Sequence, residues 1–364
     1  MKQGIHRSFG IDILRVIAML GVIFLHTIDS FTVRADFFLT KAWFVFEPLS
    51  AISRSSLALF FMISGYLVIN KNRTVSENLK ITISRIVIPL ISFSILSSFF
   101  YIFKTGKSIQ TAIDPTYVFG DAMKLPDNWL WFLEILLFLY LLNPLWQELF
   151  SDKSKRTSAR YITFFFFFFA SLIILLKFII FTPNFFNRYT AWIAYICCYL
   201  YGALVKNEWH GRKSVYFYTL LFLIGLVLQI GGTYYSILSN GRGAPLQFAG
   251  YFSDNIAIPS LLMAVGLFNM FIDIKEIKIG GKKISFMMQK IIQTFAVLSY
   301  GIYLTHEFIS QTLFDIVGWS VDSVHINIYL YNVGVFAITL FGSAVITYII
   351  SRIPKLRMIV GISS

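Results

Sequence analysis

The chain has 364 residues, 57% of them hydrophobic and 13% charged, with a mean hydropathy of +0.71. Soluble domains carry about 25% charged residues, so this chain has roughly half the charge that a water-exposed fold uses, and an array of soluble domains is excluded. The formal net charge of +13 sorts by position along the chain, as set out below, and does not form a nucleic-acid surface.

Apolar stretches of about 20 residues, the length that crosses a ~30 Å hydrocarbon core, run roughly over 10–31, 50–70, 81–103, 129–149, 158–181, 189–205, 214–235, 252–272, 288–312 and 328–351. Only helices and closed barrels satisfy their backbone hydrogen bonds in lipid. No stretch alternates apolar and polar residues as a barrel strand does, so the expected fold is an all-α integral membrane protein, a bundle of about ten transmembrane helices forming a single domain over 1–364.

The first stretch carries Asp12, Arg15 and His26 and is too long for the apolar region of a cleavable signal peptide. Ionisable groups at membrane depth cost about 2.5–3.5 kcal/mol each on insertion scales, which makes each a functional candidate. Asp12 and Arg15 stand three apart, close enough to pair on one helix face. Arg15 and His26 are eleven apart, very nearly three turns, and so share a face at about 16 Å. Interfacial anchoring accounts for Asp12 and Arg15 alone; it does not account for His26.

Further along, Arg54 stands near the start of the second stretch, which ends Phe60-Phe61-Met62-Ile63-Ser64-Gly65-Tyr66-Leu67. Ser64 and Gly65 allow close approach of either a helix or a ligand. Arg85 precedes Pro89 by four residues, with Lys80 just upstream. The fourth stretch opens Trp129-Leu130-Trp131-Phe132-Leu133-Glu134, with a carboxylate a few residues inside the boundary. The run from Phe164 to Phe169 reads as a lipid-facing surface. Cys197 and Cys198 are adjacent, and no Cys/His ligand spacing exists, so neither a disulfide framework nor a metal site is expected. The ninth stretch contains Ser299-Tyr300-Gly301-Ile302-Tyr303-Leu304-Thr305-His306-Glu307, where His306 fits either a functional role or a helix-to-helix hydrogen bond. His6, His210 and His325 fall in connections. The longest connection, 104–128, holds Pro115, Gly120 and Pro126 and is loop-like, and no internal repeat supports an inverted-repeat transporter.

Lys and Arg in the connections set the orientation. With the N-terminus inside, the inner segments hold 21 of the 31 basic residues and the outer ones 7. Both termini are therefore expected to be cytoplasmic, in the inner membrane.

Three strings of this sequence (Arg15 with ten residues and then His26, preceded by Ile11-Asp12; the Phe-Phe-Met-Ile-Ser-Gly-Tyr-Leu string; and the Ser-Tyr-Gly-Ile-Tyr-Leu-Thr-His string) appear in an order that resembles the acyltransferase-3 family of bacterial membrane acyltransferases, over nearly the whole chain. The resemblance implies transfer of an acyl group, usually acetyl, from acyl-CoA to sugars of surface polysaccharides such as O-antigen in the cell envelope. Acetyl-CoA would be a co-substrate with no permanently bound cofactor, and the partners a glycan or lipid-linked glycan and membrane lipid, with no nucleic acid. His26 would be catalytic; Asp12, Arg15, Lys80 and Arg85 would bind or orient the donor; Arg54, Ser64, Trp131, Glu134, Tyr300 and His306 would serve the acceptor or the oxyanion. Two positions depart from the family pattern. Thr82 stands where the first of two arginines before the proline is usual, and Trp129 stands where a histidine is usual. The competing class is an exporter of a polysaccharide or lipid-linked sugar, for which ten helices with buried polar groups would also serve.

Overall fold

The computed structural model describes residues 8–28, 37–71, 73–106, 108, 110, 129–179, 190–208, 214–240, 249–252, 254–279, 282–318 and 327–362. Much of the 104–128 connection, and the expected loop charges Lys2, Arg7, Arg34, Lys107, Lys124, Arg188, Arg212, Lys213 and Arg242, lie outside the described residues, as do His6, His210 and His325.

Helices form at all ten apolar stretches. They are α1 (Phe9–Thr27), α2 (Lys41–Arg54) running into α3 (Ser56–Val68), α4 (Val75–Thr82) continuing through a π-turn (Ile83–Val87) into α5 (Ile88–Thr105), α6 (Trp131–Leu141) with α7 (Asn143–Leu149), α8 (Arg156–Ile179), α9 (Ala191–Glu208), α10 (Val215–Asn240), the short α11 (Ala249–Phe252), α12 (Ile258–Phe271), α13 (Phe286–Gln311) and α14 (Ile328–Arg352). A two-residue ladder pairs Lys278–Ile279 with Lys282–Lys283 before α13.

The expectation of about ten spans is not matched one for one. Among the described residues, six helical spans are long and apolar enough to cross a membrane, or seven if α6 and α7, bent by 54°, count as one. The shortfall has physical causes. At 14 residues α12 is about 21 Å long, short of the hydrocarbon core. Buried α9 and the long α13 are diluted by polar side chains, among them Tyr199 and Lys206 in α9 and Lys290, His306 and Glu307 in α13. Most of α9 and α12, and α13 from Ala296 onward, is buried against neighbouring helices.

Several ends are fixed locally. Thr74 and Glu77 form a capping box at α4, with Thr74 N donating to Glu77 Oε2 at 2.9 Å and Glu77 N donating to Thr74 Oγ1 at 3.3 Å. Ser285 caps α13 by accepting from Met288 N at 3.2 Å. Where α6 breaks into α7, the buried Asn143 donates to Asn78 Oδ1 at 3.0 Å and Asn78 donates to Tyr140 O at 2.7 Å, which locks the break against α4.

Lipid tails are as apolar as leucine, so helices here associate through close packing more than through the hydrophobic effect. The centre shows it. A Cβ at Gly65 would overlap the Tyr199 carbonyl, and one at Gly202 would overlap the Met62 carbonyl, so α3 and α9 meet backbone to backbone. For Gly65, the packing reading of the Ser64-Gly65 pair is the one realised. Around this contact α1, α3, α6, α9 and α12 build the main core, with Leu14, Leu59, Phe61, Leu133, Tyr199 and Phe268 fully buried. α8 and α10 lie at the periphery. Phe164, Phe165 and Phe168 are exposed, as the lipid-facing reading requires, while Phe167 turns inward against Tyr201 at 5.8 Å.

Candidate active site

The face of α1 that carries Arg15 and His26 packs along α13, and the two helices together create two polar tiers separated by an aromatic one. The first tier is a cavity of about 310 Å³ at the Arg15 level. Arg15, Ser64, Arg85, Tyr140 and Tyr300 line it, together with Gly361 and Ile362 from the tail beyond α14.

Local chemistry explains how Arg85 and Tyr300 come together. Pro89 has no N–H, so the Arg85 carbonyl four residues earlier loses its usual helical donor. The Tyr300 hydroxyl supplies one, donating to Arg85 O at 2.8 Å. Tyr140 is buried in the wall of the tier, with Ser64 hydrogen-bonded to it and Arg85, Arg73 and Arg15 near enough to act on it. Arg73 comes from the connection between α3 and α4, and its Nη1 is buried with no hydrogen-bond partner. Burial and the nearby Arg85 hold the Arg73 guanidinium below its ordinary value, and burial, Arg73 and Arg85 do the same to Lys71. Cations held this close in a partly buried place favour an anion between them.

The middle tier is aromatic. Phe60 and Phe132 reach from the cavity to Tyr303, with ring centroids 6.4 and 5.0 Å away. The Tyr303 hydroxyl donates to Trp129 O, and Trp129 Nε1 donates to Leu304 O at 3.2 Å, so the start of α6 is stitched to α13. Trp129, at the position that departs from the family pattern, is thus a packing and hydrogen-bonding residue.

The third tier lies at the His26 level. His26 Nδ1 is 3.1 Å from Glu307 Oε2. The Glu307 carboxylate is further held by Ser310 Oγ donating to Oε2 at 3.3 Å and Gln311 Nε2 donating to Oε1 at 3.1 Å. These partners follow from helical spacing, three and four residues on from Glu307. With a proton on Nδ1 facing the carboxylate, the neutral His26 ring carries its lone pair on Nε2, the arrangement of a general base with an orienting acid. The His26 side chain is 34% exposed against 9% for Glu307, so the imidazole is the reachable member.

His306 completes the tier. Its ring centroid is 4.9 Å from that of His26 and its Nε2 is 3.6 Å from Glu307 Oε2. Its Nδ1 lies 2.5 Å from Tyr303 O. A carbonyl only accepts, so Nδ1 carries the proton and Nε2 presents a lone pair, buried and without a hydrogen-bond partner. Ligand atoms of His26, His306 and Glu307 lie within 4.8 Å of one another, and two histidines with a carboxylate are a donor set suited to a divalent ion.

The remaining sequence-predicted residues distribute as follows. Asp12 is buried in the first turn of α1. Ser64 and Tyr300, expected with the acceptor or the oxyanion, share the cavity with Arg15 and Arg85, and His26 is not among its lining residues. Lys80 is exposed on α4 and does not line the cavity, and buried Thr82 donates to Asn78 O at 2.8 Å. Arg54 is half-buried at the end of α2 and acts electrostatically on Asp254. Trp131 packs against Tyr195 at 6.0 Å, and Glu134 acts on Tyr303 from α6. Two residues enter that spacing did not single out. Glu307 follows His306 in an apolar helix, and that adjacency is its only sequence signal. Arg73 has none beyond belonging to a basic connection.

Comparison with curated proteins and with solved structures gives no match. Comparison with family models does: the acyltransferase-3 model, described as an acyltransferase domain, matches residues 8–352. That span takes in all three tiers, and only the tail that closes the first one falls outside it. This multi-pass membrane protein therefore belongs to the acyltransferase-3 family, and it is an acyltransferase.

Proposed function

We propose that the protein is a membrane O-acyltransferase that moves an acyl group, acetyl in the simplest case, from cytoplasmic acyl-CoA to a sugar hydroxyl of a surface polysaccharide or its lipid-linked precursor. The observation that carries this reading is the His26–Glu307 contact, 3.1 Å from nitrogen to carboxylate oxygen, on the same helix face as the arginine-lined cavity.

Arg15, Arg73 and Arg85 suit the pyrophosphate of the donor, because guanidinium binds phosphate oxygens through paired charge-assisted bonds. The pantetheine arm then runs past Phe60, Phe132 and Tyr303 and presents the thioester to His26. Glu307 fixes the ring with its Nε2 lone pair outward. As the sugar oxygen attacks the thioester carbonyl carbon, Nε2 takes the hydroxyl proton. The tetrahedral adduct collapses with cleavage of the C–S bond, and the departing thiolate recovers the proton from His26. Ester and CoA thiol are the products, with no redox partner needed. Transfer through an acetyl-His26 intermediate uses the same groups in two steps.

Sidedness tests the reading against the exporter alternative. The charge count, 21 basic residues inside against 7 outside, puts the Arg15 end in the cytoplasm, and acyl-CoA does not cross a bilayer unaided. Radiolabelled acetyl-CoA added to inside-out vesicles is expected to label a lipid-linked glycan on the lumenal side. Right-side-out vesicles given the donor externally stay unlabelled until permeabilised. Glycan movement with no acyl label in either preparation favours the exporter, and equal labelling from both faces contradicts a donor threaded from the cytoplasm.

A further inference from the structure

Acyl-CoA is anionic at two separated places, the pyrophosphate in mid-molecule and the 3′-phosphate on the ribose at its far end. Arg15 and Arg85 in the cavity, with Arg73 close to Tyr140 in its wall, answer the first. A groove of about 380 Å³ between α13 and α14 stands beside it, lined by Lys290, Gln293, Thr294, Tyr348, Ser351 and Arg352. Val297 and Ile362 line both the groove and the 310 Å³ cavity, so the two spaces adjoin across those side chains.

Ile362 is brought there by a hook that the chain makes after α14. Leu356 N and Arg357 N both donate to Ile353 O at 3.0 Å, Gly361 N to Met358 O at 3.0 Å and Ile362 N to Arg357 O at 3.0 Å. Val360 is buried in the main core and anchors the hook. The cations of the groove are differently placed. Lys290 is an exposed side chain in the first turns of α13. Arg352 is oriented: its guanidinium sits 4.6 Å over the Tyr348 ring, and Nη2 donates to Tyr348 Oη at 2.5 Å. A guanidinium has five N–H donors, so others remain to meet a phosphate while Tyr348 holds the group in place.

We infer that the groove between α13 and α14 receives the phosphorylated ribose end of the acyl-CoA donor, with Lys290 and Arg352 on the 3′-phosphate and Ile362 as the saddle over which the donor bends into the cavity. The inference rests on the acyl-CoA reading above. Both cations, Lys290 and Arg352, lie within the family match, and of the residues invoked only Ile362 falls beyond it. A phosphate on an anionic lipid headgroup has the same chemistry, and the test separates the two sources.

The full-length protein in nanodiscs is assayed with acetyl-CoA and with 3′-dephospho-acetyl-CoA. The wild type is expected to prefer the phosphorylated donor, with KM lower by about tenfold or more, as a charge-assisted phosphate contact supplies. In Lys290→Gln/Arg352→Gln the KM for acetyl-CoA rises to that for the dephospho donor, and the preference collapses. Lys290→Gln alone, at an exposed position, gives part of the collapse if the double variant is poorly folded. A preference kept in the variants overturns the subsite, as does an equal loss with both donors. An unchanged preference with activity lost only in phosphatidylglycerol nanodiscs assigns the groove to lipid and also overturns it. A wild type that uses neither donor removes the acyl-CoA reading itself and the subsite with it, whereas a failed subsite leaves that reading standing.

Discussion

The two ends of α1 are built by different means. At the Arg15 level, Arg15 of α1 and Arg85 of the π-turn before α5 line an open cavity, Arg73 of the connection before α4 acts on Tyr140 in its wall, and no single distance defines the arrangement. At the His26 level, side chains of two helices meet within hydrogen-bonding distance, and the carboxylate between them is held from its own helix. A site that binds through several charges loses affinity by degrees when one is removed. A site that positions a proton loses function when one contact goes. The comparison therefore predicts where substitutions will act on KM and where on kcat.

The largest effect is expected at His26. His26→Ala should insert and fold as the wild type does while the rate of acyl transfer falls by about 10²–10⁴, the usual contribution of a general base, or further if the imidazole carries the acyl group. Wild-type ester content on the glycan would remove His26 from the chemistry. Glu307→Gln comes next. The amide is able to donate to Nδ1 and so to stabilise the tautomer whose Nε2 bears the proton, which is the wrong one for a base; the same tautomer error at an orienting carboxylate elsewhere costs about 10⁴ in kcat, and a loss approaching but not exceeding that of His26→Ala is expected. An unchanged kcat would make Glu307 a packing residue.

At the other end the measured quantity changes. Arg15→Ala is expected to raise the acetyl-CoA KM by about 10-fold or more, since a hydrogen bond to a charged group is worth roughly 1.5–3 kcal/mol. Arg15→Lys should fall between, because an ammonium replaces the guanidinium fork poorly. Because Arg85 lines the same cavity and Arg73 acts on its wall, kcat should move little. A kcat loss as large as that of His26→Ala, with KM unchanged, would dissolve the distinction between the two ends.

How much of this was legible in the sequence depends on whether a relation is local. Arg15 and His26 are eleven apart on one helix, so helical periodicity alone brings them onto one face. Arg85 and Pro89, four apart, announce a carbonyl in need of a donor, though not that Tyr300 would be the donor. Glu307 and His26 are 281 positions apart, and no period links them; only the packing of α1 on α13 does. Arg73 was hidden for a related reason. In the sequence it is one of several charges in a short connection, and only the fold turns it toward Tyr140. Lys80 is the converse, placed near Arg85 by the chain but on the exposed side of α4. Apolarity alone marks the peripheral helices α8 and α10 as spans by length and hydropathy, and it does not do so for α9, α12 and α13, because a helix packed against protein carries polar partners as well as apolar length.

The smallest expected effect tests whether the tail beyond α14 belongs to the Arg15 end at all. Gly361 has φ +71°, a left-handed conformation that costs a residue with a Cβ roughly 1–2 kcal/mol. A Cβ there would also overlap the Tyr300 ring, whose hydroxyl serves the Arg85 carbonyl. Gly361→Ala is therefore expected to lower Tm by a few degrees, on the basis of about 2–4 °C per kcal/mol in larger domains, and to raise the acetyl-CoA KM severalfold by displacing Tyr300. Gly334→Ala is the matched control. A Cβ at this helical position in α14 meets nothing within 4 Å, and alanine is the better helix former by about 1 kcal/mol. That variant should hold or gain Tm with no change in KM. If Gly361→Ala also leaves both untouched, the hook is loosely attached and the donor cavity is complete without it. If Tm falls while KM holds, the hook braces the fold without shaping the site.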